Sequence, residues 1–174
     1  MPMQAESLSV LPWTIYCDGS AMPNPGRMGI GAVVTEPDGT RHELSVATHA
    51  IGCNNEAELK ALTHALEDAK GRGATTVRAF SDNSVLVEQL GMKTANAATA
   101  VKPIARLASL FDEARTLLGY FDHVSVEWIP RHRNAEADAL ARSALGLEPK
   151  RVARFGKRGA DRIRNKANSV QGKH

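Results

Sequence analysis

The hydrophobic pattern of this sequence changes its period near residue 54, from two to about 3.6 residues, and few folds accommodate that change. Before it, short runs rich in β-branched and aromatic residues alternate with glycine and proline, at 13–17, 30–35 and 41–48. After it, apolar residues recur three and four positions apart through 54–70, and Gly71 follows. The pattern predicts an antiparallel meander of three strands followed by an amphipathic helix.

The rest of the chain alternates predicted strands and helices. A strand at 76–80 precedes a short helix at 83–90, and after a polar stretch come a helix at 102–118, a strand at 124–129 and a last helix at 135–145. A meander followed by this alternation predicts an α/β fold. Its sheet is expected to be mixed, with five strands and with helices packed on it.

Length and composition exclude several classes of protein. A chain of 174 residues is expected to form one domain, large enough to bury a core without disulfides. Its 43% hydrophobic and 24% charged residues exclude collagen-like, coiled-coil and wholly disordered chains. No apolar run approaches the roughly 20 residues of a membrane span, and the first dozen residues lack the features of a signal peptide. We expect a soluble cytoplasmic monomer with no membrane partner.

Charge is distributed unevenly along the chain. Residues 1–148 carry 13 Lys and Arg against 18 Asp and Glu, a net charge of −5, whereas residues 149–174 carry nine against one, a net charge of +8. The basic segment contains Phe155 as its one aromatic residue, so it is not expected to fold as a module. We predict a flexible N-terminus at 1–11, a folded domain at 12–147 and a disordered basic tail at 148–174, which suggests a polyanionic partner.

Four carboxylates lie where a predicted strand or helix end meets a loop, the positions from which sheet proteins usually build sites. They are Asp18, Glu58, Asp82 and Asp138. Asp18 ends the first predicted strand before Gly19, and its ordinary interpretation is a turn residue. Asp82 follows the strand at 76–80, and its ordinary interpretation is the N-cap of the next helix.

Two glutamates at the start of the long helix face in different directions. Glu58 is followed at helical spacing by Ala61, so its side chain points along the buried stripe, whereas Glu56 faces Lys60. A carboxylate at the edge of a core costs free energy unless a hydrogen bond, a charge or a metal compensates it. A capping box from Asn55 to Glu58 would also explain the second glutamate.

Asp138 lies in the first turn of the last predicted helix, where the helix dipole favours a carboxylate without any catalytic role. The helical period does not distinguish it from Glu136. None of the four positions indicates catalysis by itself. Their occurrence in one small chain, each within a distinctive local string, is the informative observation.

These strings match a known family in order and spacing from residue 13 to residue 145. They are Cys17-Asp18-Gly19-Ser20, Asn24-Pro25-Gly26, Gly29-Ile30-Gly31, Asn54-Asn55-Glu56-Ala57-Glu58, Ser81-Asp82-Asn83 and Asn134-Ala135-Glu136-Ala137-Asp138-Ala139-Leu140-Ala141. Together they resemble type 1 ribonuclease H. The resemblance implies a ribonuclease H-like fold for 12–147, with a mixed five-stranded sheet and helices on both of its faces.

The resemblance also implies an activity. Enzymes of this family cleave the RNA strand of an RNA/DNA hybrid, and the motifs assign Asp18, Glu58, Asp82 and Asp138 as metal ligands. Mg²⁺ prefers hard oxygen ligands, so clustered carboxylates suit it. The implied cofactor is a pair of Mg²⁺ ions, with Mn²⁺ as a possible substitute, acting in a two-metal displacement.

Substrate contacts implied by the resemblance come from residues next to these carboxylates. Asn24 and Asn55 match asparagines that line the minor groove of the hybrid, and amide groups suit 2′-hydroxyls because they both donate and accept. The ordinary interpretations are a turn residue and a helix cap. Cys53 stands where many relatives have a threonine, so a contact to the DNA strand is expected to be weaker. The full predicted set is Ser20, Asn24, Cys53, Asn54, Asn55 and Asn83.

The segment before Asp138 departs from the best-known bacterial pattern, which has a histidine in a glycine-rich loop. Trp128 stands there, and the string through Asn134 resembles the shorter version of archaeal-type and plant-like members, with Arg131 in place of the loop. We expect Arg131 to approach the scissile phosphate. His132 is either a proton shuttle or a solvent-exposed loop residue.

A second departure is the short segment at 91–101, where some bacterial relatives carry a basic protrusion that grips the hybrid. The basic tail is expected to supply that charge, since each neutralised phosphate releases counterions, although a merely solubilising tail remains the alternative. Two other functions compete with hybrid cleavage: a broader specificity that includes double-stranded RNA, and a non-catalytic hybrid-binding module. Junction resolvases and transposases of the wider superfamily fit less well, because the string at 54–58 is specific and no extra domain is present.

Overall fold

The computed structural model describes residues 10–91 and 104–149, which form one five-stranded sheet with helices on both faces. The predicted mixed sheet is confirmed. Its strands are β1 (Trp13–Met22), β2 (Gly26–Thr35), β3 (Arg41–Gly52), β4 (Thr76–Ser81) and β5 (His123–Trp128), and its helices are α1 (Asn54–Gly71), α2 (Ser84–Leu90), α3 (Ala108–Leu118) and α4 (Ala135–Ala144).

Strand β1 is the centre of the sheet, whose order is β3-β2-β1-β4-β5. It pairs antiparallel with β2 and parallel with β4, and β4 pairs parallel with β5. The carboxyl ends of β1, β4 and β5 therefore meet at one edge of the sheet. In open α/β sheets this is the edge at which sites form.

Two glycines show which helix covers which face. Gly19 lies opposite Ile30 in the β1–β2 register and Gly31 lies opposite Asp18, so the two glycines face opposite sides of the sheet. A Cβ atom on Gly19 would collide with the α1 backbone at Ala57, and one on Gly31 would collide with the α4 backbone. The helices α1 and α4 therefore lie on opposite faces, each close to β1.

The larger part of the core lies on the α1 face, where α1 and α3 pack on the sheet and on each other. Its members are fully or almost fully buried, and α1 contributes one every three or four residues, as the helical period predicts. The bulkiest of them are Ile15, Ile30, Leu59, Leu62, Leu66, Leu86, Leu107 and Leu118.

Several boundaries differ from those expected. The glycines and prolines between the strands predicted at 13–17 and 30–35 indicate a loop there, yet β1 continues to Met22 and β2 begins at Gly26, which leaves a short turn. The strand glycines serve the close approach of α4 rather than a turn. The helix expected at 102–118 begins later, as a 3₁₀ turn at Ala105–Leu107 followed by α3.

Three expectations fall outside the described residues: most of the flexible N-terminus at 1–11, the segment at 91–101 and almost all of the basic tail at 148–174. Within 10–91 and 104–149, no helix has the length and apolar character that a membrane span requires.

Candidate active site

Three carboxylates from three different elements meet at the carboxyl edge of the parallel strands. Asp18 belongs to β1, Glu58 to the first turns of α1, and Asp82 directly follows β4. One oxygen of each carboxylate lies within 4.8 Å of those of the other two. The structure thus brings together three of the four predicted carboxylates.

Asp18 is buried within a strand, which makes the turn interpretation wrong. The strand continues for four residues beyond it, and only 7% of its surface is exposed. The backbone N–H of Gly19 donates to its Oδ1 at 2.9 Å. Because no turn requires an aspartate here, its burial has to be explained by the neighbouring groups.

The capping interpretations of Glu58 and Asp82 are also wrong. Helix α1 begins two residues earlier than a capping box from Asn55 needs, with Cys53 at the N-cap and no side-chain cap. Asn83 is the N-cap of α2, and its side chain accepts from the N–H of Leu86 at 3.1 Å. Neither carboxylate is therefore accounted for by helix capping.

The fourth carboxylate, Asp138, lies beside this group rather than within it. It occupies the first turn of α4, and its charge raises the pKa of Asp18. Glu136, which the sequence did not distinguish from it, is exposed and accepts from Arg41 Nη2 at 2.6 Å. The structure thus distinguishes Asp138, whose charge acts on Asp18, from Glu136, which pairs with Arg41.

The cluster is electrostatically strained as long as it holds carboxylates alone. Burial, and then the charges of Glu58, Asp82 and Asp138, raise the pKa of Asp18 from 3.8 to about 8, and the Gly19 N–H opposes this only in part. A cation among these oxygens would offset the repulsion between the carboxylates, which contributes to this shift together with burial. The donor set consists of hard carboxylate oxygens, so the residues present fit Mg²⁺ or Mn²⁺.

Asp82 is held by three further residues, two of which were not expected to have a role. Trp128 Nε1 donates to its backbone oxygen at 3.2 Å, and Asn134 Nδ2 donates to its Oδ1 at 3.4 Å. Arg131, which was expected at the site, lies with its Nε 3.6 Å from Asp82 Oδ2. Asn134 is part of the matched string at 134–141, but no separate role is predicted for it from the sequence.

His132 lies in the same short turn as Arg131 but borders a different part of the protein. It is exposed within the 3₁₀ turn Arg131–Arg133 and borders a small cavity with Tyr16 and Glu136. The turn therefore directs its arginine towards Asp82, whereas its histidine lies beside the start of α4.

The predicted substrate asparagines form two hydrogen-bonded pairs at the rim of the cluster. Asn24 Oδ1 accepts from the N–H of Asn54 at 3.2 Å, and Asn54 Oδ1 accepts from the N–H of Ala21 at 2.8 Å. Asn55 Oδ1 accepts from Asn83 Nδ2 at 2.8 Å. Asn24 lies in the turn between β1 and β2, in agreement with its interpretation as a turn residue. Asn55 does not cap α1, in contrast to its interpretation as a helix cap.

The remaining predicted contacts lie on either side of this rim. Ser20 is partly exposed in β1, two residues beyond Asp18 and so on the same face of the strand. Cys53 is half-buried at the N-cap of α1, and its Sγ accepts from Arg106 Nη2 at 2.9 Å. A guanidinium thus lies beside the residue that replaces the expected threonine.

Comparison with known proteins agrees with this fold. A protein-family model described as reverse transcriptase-like matches residues 16–144. The bifunctional protein Rv2228c of Mycobacterium tuberculosis is 37% identical over 133 residues, which cover 75% of this chain. The match spans 35% of the length of that relative.

Solved structures show the same similarity. The structure of RNase H1 from the halophilic archaeon Halobacterium salinarum superposes with a TM-score of 0.69 at 31% identity, covering 78% of this chain and 98% of the other. LC11-RNase H1 in complex with an RNA/DNA hybrid superposes with a TM-score of 0.65 at 31% identity, covering 77% and 96%. The chain belongs to the ribonuclease H family.

Proposed function

We propose that this chain is an endoribonuclease that hydrolyses the RNA strand of RNA/DNA hybrids in a metal-dependent reaction. The observation that carries the proposal is the meeting of Asp18, Glu58 and Asp82 within 4.8 Å at the edge of the sheet, with Asp138 beside them. A pure binding module has no use for concentrated negative charge that would repel a phosphate backbone. Cleavage explains why the chain maintains it.

The four carboxylates would hold two Mg²⁺ ions, with Mn²⁺ as a substitute. When bound, the metal supplies an activated water and the positive charge that a phosphodiester displacement requires. Asp18 is buried among the other carboxylates, and the first turn of α4 carries Asp138 near enough to act on it, so these residues would hold the metal. Because these groups come from a rigid sheet and two helices, their positions are fixed before substrate binds.

Recognition of the RNA strand is assigned to the asparagine rim. The side-chain oxygens of Asn24, Asn54 and Asn55 are engaged within the protein. Among the described residues, no acceptor contacts their Nδ2 groups, so these donors are available to 2′-hydroxyls, which distinguish RNA from DNA. Ser20, Cys53 and Asn83 complete the proposed contact surface.

Arg131 is proposed to act on the scissile phosphate. Its side chain is 85% exposed although its Nε lies 3.6 Å from Asp82, so it is free to swing towards a bound phosphate. A guanidinium suits this role because it matches phosphate oxygens with two parallel donors. His132 is proposed as the proton shuttle to the leaving oxygen, with the solvent-exposed loop histidine as the alternative that its position leaves open.

The proposal is tested by incubating the purified chain with labelled RNA/DNA hybrid, double-stranded RNA and double-stranded DNA, in Mg²⁺ and in Mn²⁺. Asp82→Asn serves as the paired variant. We expect cleavage of the RNA strand of the hybrid by the unaltered chain and loss of that cleavage in the variant, because an amide is a poor ligand for either ion.

Two other outcomes identify the competing functions. Cleavage of double-stranded RNA at a rate comparable with that of the hybrid would establish the broader specificity. Binding of the hybrid without cleavage in either metal would overturn the catalytic proposal in favour of a binding module.

A further inference from the structure

Asn134 occupies the N-cap of α4 but does not cap the helix. Asparagine is among the residues preferred at that position because its side-chain oxygen accepts from the backbone of the first turn. Here no side-chain cap is formed, and the residue is 2% exposed, so the side chain points into the protein. The N-terminus of α4 therefore lacks the stabilisation that a capping side chain usually provides.

Through its side chain and its backbone, Asn134 instead joins three elements of the carboxylate cluster. Its Nδ2 donates to the backbone oxygen of Cys17, next to Asp18, at 2.9 Å and to Asp82 Oδ1 at 3.4 Å. Its own backbone oxygen accepts from the N–H of Asp138 at 3.1 Å. One residue therefore contacts β1, the end of β4 and the first turn of α4.

One atom of this buried side chain is in an energetically unfavourable environment. Both hydrogens of Nδ2 have acceptors, but the buried Oδ1 has no hydrogen-bond partner among the described residues. A buried polar atom without a partner is destabilising, and such an atom in a native structure calls for an explanation. Departures from local rules of this kind are concentrated at functional sites.

We propose that Asn134 is a positioning residue that fixes Asp82 relative to Asp18 and Asp138. The inference rests on the proposed function and adds to it a residue that touches neither substrate nor metal. The other two groups that hold Asp82 are exposed, Trp128 by 54% and Arg131 by 85%, so water or substrate competes with both. The buried amide of Asn134 is the contact that persists when substrate enters.

The test compares Asn134→Leu, which keeps the approximate shape of the side chain without its donors, with Leu118→Ala. Leu118 is a core residue of α3, a helix that contributes none of the four carboxylates, so its truncation reports the effect of lost stability alone. Asn134→Ala, which cannot overpack the site, is the second variant if the leucine does not fit. Each is measured by thermal unfolding, by kcat and KM on a hybrid, and by calorimetric titration with Mn²⁺.

We expect both Asn134 variants to lose kcat by about 10- to 100-fold with KM changed less than about twofold, and to bind Mn²⁺ more weakly by a similar factor. Leu118→Ala is expected to unfold at lower temperature while the folded protein keeps its kcat and Mn²⁺ affinity. Unaltered kcat and Mn²⁺ affinity in the Asn134 variants, or losses matched by Leu118→Ala, would overturn the inference. If the unaltered chain does not cleave hybrid, the proposed function fails, and the Mn²⁺ titration alone then decides the role of Asn134.

Discussion

The two faces of the sheet are built on different principles. On the α1 face, large aliphatic side chains fill most of the space between helix and sheet, and the two backbones approach closely where Gly19 lies under Ala57 at the start of α1. On the α4 face, glycines of β2 lie directly under the alanines of α4, and the two backbones nearly touch. The residues in contact there are Gly29, Gly31, Ala137 and Ala141.

Because of this difference, we expect the two faces to contribute differently to the stability of the domain and to the geometry of the carboxylate cluster. Burial of large apolar side chains supplies most of the free energy of folding, and small shifts in such packing are tolerated. Backbone-to-backbone contact contributes less apolar area but fixes the distance between α4 and β1, and with it the distance from Asp138 to Asp18. The α1 face is thus expected to determine how stable the chain is, and the α4 face how well the cluster is formed.

The sharpest test of this separation uses two glutamates on α1 that lie two residues apart. Glu58→Gln is expected to lower kcat by roughly a hundredfold or more, because it removes a charged ligand from the cluster. Glu56 pairs with Lys60 at 3.4 Å, so Glu56→Gln is expected to leave kcat unchanged. Steady-state rates on a hybrid measure both, and equal losses would contradict the assignment of Glu58.

A second test concerns the pH dependence of stability without metal. The pKa of Asp18 is raised from 3.8 to about 8, so between these values the folded chain holds a proton that the unfolded chain has released. The free energy of unfolding is therefore expected to fall as pH rises from about 4 to about 8, by at most about 1.4 kcal/mol per pH unit.

Asp18→Asn is expected to flatten this dependence and to be more stable than the unaltered chain at pH 8. Urea unfolding in EDTA at several pH values measures both. An unchanged slope in the variant would show that other groups are responsible. Added Mg²⁺ is expected to stabilise the unaltered chain increasingly as pH rises, because the metal competes with the proton.

Truncation on the α1 face is expected to affect stability without affecting chemistry. Leu62 is fully buried, and Leu62→Ala should lower the free energy of unfolding by about 2–5 kcal/mol. The value of kcat per folded molecule should be preserved. Denaturant unfolding and rates measured well below the midpoint check both statements, and a parallel loss of kcat would mean that the two faces are coupled.

The opposite result is expected on the α4 face. Gly31→Ala adds one methyl group that would collide with the α4 backbone, at a cost of about 1–3 kcal/mol. Because the helix must move away from β1, kcat is expected to fall as well. Gly71→Ala is the matched control, since a Cβ there meets nothing within 4 Å. Similar kcat values for the two variants would contradict the geometric role of the α4 contact.

The smallest effect is expected from the basic tail that follows α4. Deletion of 149–174 should weaken hybrid binding by roughly tenfold or less at physiological salt and should reduce the dependence of affinity on salt concentration. A tail of equal length with Lys and Arg replaced by Gln is the control for length. An unchanged salt dependence after deletion would favour a solubilising role.

The sequence predicted the elements of the fold well where a period could be read, as in α1. It misread the glycines between the first two predicted strands as turn signals, because a strand glycine has meaning only when the helix that crosses it is known. The carboxylates were found through their strings, whereas their burial and mutual distances arise from contacts distant in sequence. Asn134 was missed because only the tertiary structure turns its side chain inward.

The carboxylates at 18, 58, 82 and 138 belong to elements distributed over almost the whole domain, and the last of them lies on α4, the final helix. During synthesis, a chain that has not yet released and docked this helix has an incomplete cluster. A nascent or truncated polypeptide without α4 therefore lacks one of the four proposed metal ligands, although its whole sheet precedes that helix in the sequence. On the proposed function, nuclease activity is therefore expected only after α4 has docked.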